Sequence, residues 1–137
     1  GHAIDYVKMQ WLMLQQETPD DFVIATGRME SVRKFIEIAA GFLNWNKNPG
    51  EPAIYWEGSG INEIGRRNDT NAIVVRVDKN YFRPSEVNEL LGDSSKAFNK
   101  LGWEPKISLE EMIHEMVVKD KKLALEESLI KNNYTQN

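Results

Sequence analysis

The sequence contains no cysteine, only two histidines, and no apolar run close to the length of a membrane span. Without cysteine it can form neither a disulfide nor a thiolate metal site, which is compatible with a cytoplasmic location. His2 and His114 are too distant in sequence to indicate a metal site. A membrane-spanning helix needs roughly 20 apolar residues, and no signal segment opens the chain. We therefore expect a soluble, cytoplasmic protein with no membrane partner and no metal.

Two motifs of hydride-transferring enzymes are also missing. Gly58, Gly60 and Gly65 do not reproduce the spacing or the strand-turn-helix setting of a dinucleotide-binding fingerprint. None of the four tyrosines is followed by a lysine four positions later. The carboxylates show no acid/base pairing that the sequence supports. We therefore expect neither a cofactor-binding residue nor a catalytic residue within this chain.

The 137 residues carry a formal net charge of −4, with 41% hydrophobic and 28% charged residues. This length is typical of a single domain that buries a core without disulfides or metals, and we expect one domain over residues 1–137. Nucleic-acid backbones are bound by clustered Lys and Arg in excess. The acidic balance argues against a nucleic-acid partner, so an anionic ligand must be met by a few well-placed cations.

Apolar residues at three- and four-residue spacing predict several amphipathic helices. Capping chemistry marks their ends: Ser31 fits an N-cap, Gly102 fits a terminator, and Ser108 with Glu111 forms a capping-box pattern. The predicted helices cover residues 3–16, 31–43, 84–92, 96–101 and the stretch that begins at 108.

Three short runs rich in β-branched and aromatic residues predict strands over 22–25, 53–57 and 73–77. The segment 58–71 is too long for a tight hairpin and predicts a polar loop. Three strands beside four or five helices indicate an α/β fold without a self-sufficient sheet. We therefore expect a lobe of a larger enzyme. Such a lobe in isolation would expose an apolar patch on its first helix around Trp11 and Leu14.

Arg83 and Glu86 are the leading candidate site residues. A guanidinium presents a planar fork of donors to phosphate oxygens, and a nearby carboxylate can accept both hydroxyls of a ribose. The alternative is an i,i+3 surface ion pair at a helix start, which contributes only a few tenths of a kcal/mol. Spacing alone favours the surface pair.

The sequence around these two residues favours the binding site instead. The stretches 81–87, 91–97 and 101–105 together resemble the carboxyl-terminal part of the GDP-mannose 4,6-dehydratases, which are extended short-chain dehydrogenases/reductases. Similar segments extend the resemblance over nearly the whole chain to about Leu125. One departure is Ser94, where proline is frequent in the family. The further similar segments are 5–16, 22–35, 56–65 and 75–78.

The resemblance implies that Arg83 contacts the diphosphate and Glu86 the ribose of GDP-mannose. It further implies conversion of GDP-D-mannose to GDP-4-dehydro-6-deoxy-D-mannose and water with a tightly held NADP. The Rossmann half that binds NADP, the Tyr-x-x-x-Lys pair and the acidic catalytic residue would all precede Gly1, so the chain would begin in mid-protein and be inactive alone. The implied partners are GDP or GDP-mannose, an amino-terminal cofactor domain and further copies in a homo-oligomer.

Two weaker candidates accompany them. Arg33, just inside a helix start, would either line the sugar cleft or cover apolar surface with its stem. His2 lies at the position that borders the substrate loop in the family, so the resemblance makes it a weak binding candidate.

Four other conspicuous side chains favour structural interpretations. Arg66 and Arg67, beside Arg28 and Arg33, invite a nucleotide-binding hypothesis. Charged loop residues are mostly solvated, and we expect that for Arg66 and Arg67. Trp103 follows a helix-ending glycine and is expected in the core, and Trp11 is expected to anchor a helix face.

Two other functions stay open. One is a non-catalytic nucleotide-sugar-binding or interaction module that retained the lobe and lost the chemistry. The other is a part of a sister dehydratase or epimerase that acts on another nucleotide sugar.

Overall fold

The computed structural model describes residues 1–83 and 90–134, with side chains described as far as Lys131. This part of the chain is mixed α/β, with four α-helices and a three-stranded antiparallel sheet. The helices are α1 (Ala3–Leu14), α2 (Val32–Phe42), α3 (Ser95–Leu101) and α4 (Leu109–Tyr134). The strands are β1 (Ile54–Glu57), β2 (Ile64–Arg67) and β3 (Ile73–Arg76), and a 3-10 turn (Gly60–Asn62) precedes β2.

The helix ends follow the predicted capping chemistry. Ser31 Oγ accepts a hydrogen bond from the backbone N–H of Lys34 at 3.1 Å, which begins α2. At the start of α4, the N–H of Glu111 donates to Ser108 Oγ at 3.2 Å, and the Ser108 N–H donates back to Glu111 Oε2 at 2.8 Å. Gly102 ends α3 in the left-handed region, at φ 62°. These local predictions are confirmed.

The central strand β2 lies inside the segment 58–71, where the sequence predicted a loop. Trp56 of β1 and Val75 of β3 both lie opposite Gly65 in the register. A Cβ at position 65 would come within 3.0 Å of Ile54 and Trp56 and within 3.1 Å of Val75, so glycine permits this close packing. The loop prediction was wrong because Gly65 and the paired arginines hide the alternation of apolar residues that identifies a strand.

Two small clusters form the hydrophobic core. Trp103 is only 2% exposed, and its indole Nε1 donates a hydrogen bond to the backbone oxygen of Asp5 at 3.0 Å. Its predicted place in the core is confirmed. The first cluster contains Met9, Ala97 and Trp103, and the second contains Ala40, Ala53 and Ile54.

Residues 22–25 do not form the predicted strand. Phe22 and Ile24 pack against the first cluster, while Val23 is exposed. Within the described ranges, the sheet contains only β1, β2 and β3. The prediction was wrong for this chain because a strand forms only where a neighbouring strand completes its backbone hydrogen bonds.

The predicted helix over 84–92 falls largely outside the described residues. Positions 84–89 are not described, and residues 90–92 are not helical.

One face of α1 is apolar and uncovered. Ile4, Val7, Trp11 and Leu14 are 61%, 61%, 59% and 81% exposed. Their spacing of three, four and three residues places them on one side of the helix. This is the patch expected around Trp11 and Leu14, and we call it the α1 stripe. Trp11 therefore does not anchor α1 to the described part of the chain.

None of the described helices is both long enough and apolar enough to cross a membrane.

Candidate functional site

Arg83 lies in the loop that follows β3. A turn positions this loop: the N–H groups of Asn80 and Tyr81 donate to Asp78 Oδ1 at 2.8 Å and to its backbone oxygen at 3.1 Å. The Arg83 side chain is exposed, and within the described ranges it forms no hydrogen bond or ion pair. No carboxylate of the described residues therefore competes with an anion for its guanidinium. The predicted partner Glu86 lies outside the described residues.

A pocket of about 630 Å³ opens between the start of α1, the segment that precedes α2, and the start of α4. Its lining combines apolar and polar side chains, as is usual for small-molecule sites. The apolar ones include Val32, Phe35, Ile107, Leu109 and Met112, and the polar ones include His2, Thr26, Arg28, Glu30, Ser31 and Ser108.

His2 has a fixed orientation on the wall of this pocket. Its Nδ1 accepts a hydrogen bond from the N–H of Ile4 at 3.1 Å, so the side chain caps α1. Its Nε2 lies 3.4 Å from Glu115 Oε2. Because Nδ1 is an acceptor, the neutral ring carries its proton on Nε2, directed at the Glu115 carboxylate. The predicted binding residue His2 thus does line a pocket.

The buried carboxylate of Asp5 fixes the same wall from behind. It is 3% exposed, and its Oδ2 accepts hydrogen bonds from the N–H groups of Lys106 and Ile107 at 3.1 and 3.0 Å. These bonds join α1 to the chain that enters α4. The role of Asp5 is structural, since its acceptor oxygen is already satisfied by the backbone.

Arg28, which the sequence named only beside the other arginines and not as a site residue, lines the pocket. It donates to Glu110 through both terminal nitrogens at 3.0 Å and to Glu30 through Nε at 2.8 Å. The Glu110 hydrogen bond, followed by that of Glu30, raises the pKa of Arg28, and Arg28 in turn lowers the pKa of Glu110. Arg28 is neutralised by two carboxylates and is not available to a phosphate.

Arg33 lies apart from the pocket. Its guanidinium stacks 4.6 Å from the centroid of the Trp56 ring and pairs with Glu63. It is not among the residues that line the pocket. Of its two predicted roles, the structure shows the cover over apolar surface; a contact with substrate stays a prediction.

Arg66 and Arg67 belong to β2 and not to a solvated loop, so that expectation was wrong. Arg66 donates to Glu57 Oε2 and to the backbone oxygen of Asn71, both at 3.0 Å. Arg67 donates to Asp69 Oδ1 at 2.9 Å and stacks 4.5 Å from the centroid of the Trp45 ring. The pairing of β1 with β2 brings Glu57 within reach of Arg66.

The glycines of the segment 58–65 do not form a dinucleotide cradle. Gly58 and Gly60 have positive φ angles, but the chain continues through a 3-10 turn into β2. A pyrophosphate-binding turn needs a helix N-terminus at this point. This segment therefore does not form the glycine-rich turn of a dinucleotide site. The described residues contain no group of three His, Asp or Glu side chains that could hold a metal ion.

A sequence model of the family described as GDP-mannose 4,6 dehydratase matches residues 1–116. The chain belongs to this family. The GDP-mannose 4,6 dehydratase of Cricetulus griseus is 49% identical over 123 residues, which are 90% of this chain and 31% of that protein. The Homo sapiens protein is 48% identical, with the same two shares. The Yersinia enterocolitica protein is 49% identical over 143 residues, covering 97% of this chain and 37% of that relative.

The chain spans about a third of the length of these GDP-mannose 4,6-dehydratases. The family match includes His2, Arg33, Arg83 and Glu86, as well as the pocket. It ends within α4, so the second half of that helix lies beyond it. The structure brings His2 and Arg28 together at one pocket and places Arg33 and Arg83 elsewhere.

Proposed function

We propose that this chain is the substrate-binding part of a GDP-mannose 4,6-dehydratase, a lyase that forms GDP-4-dehydro-6-deoxy-D-mannose and water from GDP-D-mannose. The family match over residues 1–116 carries this proposal. NADP would be held by polypeptide outside this chain. In support, the glycines of the segment 58–65 lead into a 3-10 turn and β2 and not into a helix N-terminus. A cytoplasmic location and assembly as a homo-oligomer are part of the same proposal.

Arg83 supplies the contact with the diphosphate. The other arginines near candidate positions already have anionic partners, since Arg28, Arg33 and Arg67 pair with Glu110, Glu63 and Asp69. An arginine committed to a carboxylate must lose that contact before it binds a phosphate. Arg83 has no such competitor among the described residues, and a planar guanidinium fits two phosphate oxygens at once. The adjacent turn at Asp78 holds its loop.

Glu86 would accept the ribose hydroxyls beside Arg83, as the family resemblance implies. His2 and Arg33 are weaker candidates for contacts with the sugar. His2 is the better placed of the two, because it lines a pocket, whereas Arg33 is occupied by Trp56 and Glu63.

Arg76 offers a matched control for Arg83. Arg76 is also an exposed arginine without a hydrogen bond or ion pair in the described part of the chain. It lies at the end of β3, the strand that precedes the loop of Arg83. A general loss of positive charge would affect both variants alike. A specific diphosphate contact would be lost only with Arg83.

The test uses the complete protein with GDP-mannose and NADP, with the product identified by mass spectrometry. Formation of GDP-4-dehydro-6-deoxy-D-mannose supports the proposal. Binding of GDP-mannose without turnover would favour the non-catalytic binding module, and turnover of a different nucleotide sugar would favour a sister dehydratase or epimerase. Either of these results would overturn the proposed function.

A further inference from the structure

The second half of α4 extends away from the core. Ile113 is fully buried, whereas all the side chains described over residues 118–131 are exposed. Isolated helices shorter than about 12–15 residues are only marginally stable in water, because packing of an apolar face supplies most of the stability of a helix. This half of α4 would therefore gain stability from a partner.

Four residues of this half lie on one side of the helix. Val118, Lys122, Leu125 and Leu129 follow one another at intervals of four, three and four residues. This is the heptad spacing by which two helices pack side by side. Val118, Leu125 and Leu129 are 57%, 59% and 65% exposed. We call these four residues the α4 stripe.

The stripe is independent of the proposed substrate-binding function. The family match ends at residue 116, so the stripe lies beyond the part of the chain that the family model describes.

The charges beside the stripe favour a second copy in the antiparallel direction. Lys119 and Glu126 flank the same edge of the stripe, seven residues apart. In an antiparallel pair about a two-fold axis, Lys119 of each copy lies beside Glu126 of the other copy, so the favourable contact occurs twice.

A parallel pair would be penalised by Lys122. In register, the two Lys122 side chains would meet within the stripe, where like charges repel. In the antiparallel pair, Lys122 lies beside Leu125 of the other copy. Its alkyl stem can cover that side chain while its ammonium stays near Glu126 of its own helix, 3.9 Å away.

We propose that the α4 stripe binds the α4 stripe of a second copy of this chain in an antiparallel helix pair. One pair of short helices buries less than the roughly 1,200 Å² of a standard stable interface, so the association is weak and reversible.

Charge exchange in the full chain tests the pair. All variants carry Trp11→Ser and Leu14→Ser, so that the exposed α1 stripe does not contribute, and association is measured by sedimentation equilibrium. Lys119→Glu and Glu126→Lys each place like charges in contact twice, and we expect each to weaken self-association roughly tenfold. Combining both changes in one chain restores it. Mixing the two single variants restores it as well, because an all-acidic edge then meets an all-basic edge.

Lys121→Glu is the matched control. Lys121 is exposed, lies on the opposite edge of the stripe, and faces Ser128 of the other copy in the antiparallel pair. In the antiparallel pair, Lys121→Glu should leave the association unchanged. In a parallel pair, residue 121 would lie beside Glu126 of the other copy, and the same change would weaken the association. A chain that stays monomeric at the highest attainable concentration overturns the proposal. So does association that is indifferent to Lys119→Glu, or single variants whose mixture does not associate.

Discussion

Arg28 donates two hydrogen bonds to Glu110, and both nitrogen–oxygen distances are 3.0 Å. The two residues are 82 positions apart in sequence. Their contact joins the segment before α2 to the first turn of α4, and both segments line the pocket that contains His2. Glu110 also lies in the first turn of α4, where a negative charge interacts favourably with the helix dipole.

The first prediction concerns pH. Arg28 lowers the pKa of Glu110 below its ordinary value of 4.5. A carboxyl group whose pKa is lower in the folded state stabilises the fold above its unfolded pKa, and this contribution is lost as the pH falls through the folded pKa. We expect Glu110→Gln to have a lower Tm than the parent at pH 7. The difference should shrink as the pH is lowered below about 4.5.

Thermal melts between pH 7 and pH 3 measure this effect. Glu127→Gln is the control, because Glu127 is exposed on the second half of α4 and lies outside the α4 stripe and its flanking edges. A Tm difference for Glu110→Gln that stays constant over the whole range would contradict the prediction.

The second prediction concerns the core. Trp103→Phe retains most of the apolar volume but removes the donor to Asp5, so it should lower the free energy of unfolding by about 1–3 kcal/mol. Trp103→Ala also leaves a cavity and should cost about 3–5 kcal/mol. Denaturant unfolding measures both values. Trp11→Ala, at a 59% exposed position, should change the free energy by about 0.5 kcal/mol or less; equal losses at the two tryptophans would refute the assignment.

The third prediction concerns the α1 stripe. Trp11→Ser with Leu14→Ser should reduce the binding of a hydrophobic fluorescent dye and raise solubility, because contiguous exposed apolar patches mark a missing partner. Val74→Ser is the control, since Val74 is an isolated exposed residue on β3 and is 42% exposed. Similar dye binding by the parent and the double variant would show that the stripe is not an exposed docking surface.

The sequence predicted those parts of the fold that depend on local chemistry. Ser31, Gly102 and Ser108 mark helix ends because capping bonds span only three or four residues. The strand predicted at 22–25 failed because extended backbone needs a neighbour that no local pattern supplies. β2 was missed because its central residue is Gly65. This glycine lets the flanking strands pack closely, but it has no side chain that would mark the position as part of a strand.

In the candidate site, too, the residues marked by local sequence were predicted, and those that depend on distant partners were not. Arg83 and His2 were identified from their flanking motifs, and both lie where a ligand can reach them. Arg28 was named among the arginines but not chosen as a site residue, because its role depends on Glu110, a partner that only the folded chain brings close. The solvated-loop expectation for Arg66 failed for the same reason, since strand pairing supplies its contact with Glu57.

The fourth prediction concerns the chain by itself. Calorimetry should show weak binding of GDP and GDP-mannose, no binding of NADP, and no turnover of GDP-mannose. Arg83 would still be present, but a diphosphate contact open to water is largely screened. Binding of NADP at micromolar affinity, or unaided turnover, would mean that this chain is not the substrate-binding part alone.

The steady-state kinetics of Arg83→Ala in the complete enzyme test the central claim most directly. The diphosphate is remote from the reacting carbons and is bound alike in the ground and transition states, so its loss should appear mainly in KM. We expect KM for GDP-mannose to rise by about one to two orders of magnitude with little change in kcat. Glu86→Gln should have a smaller effect of the same kind, and Arg76→Ala should have none. An unchanged KM in Arg83→Ala, or an equal rise in Arg76→Ala, would contradict the account.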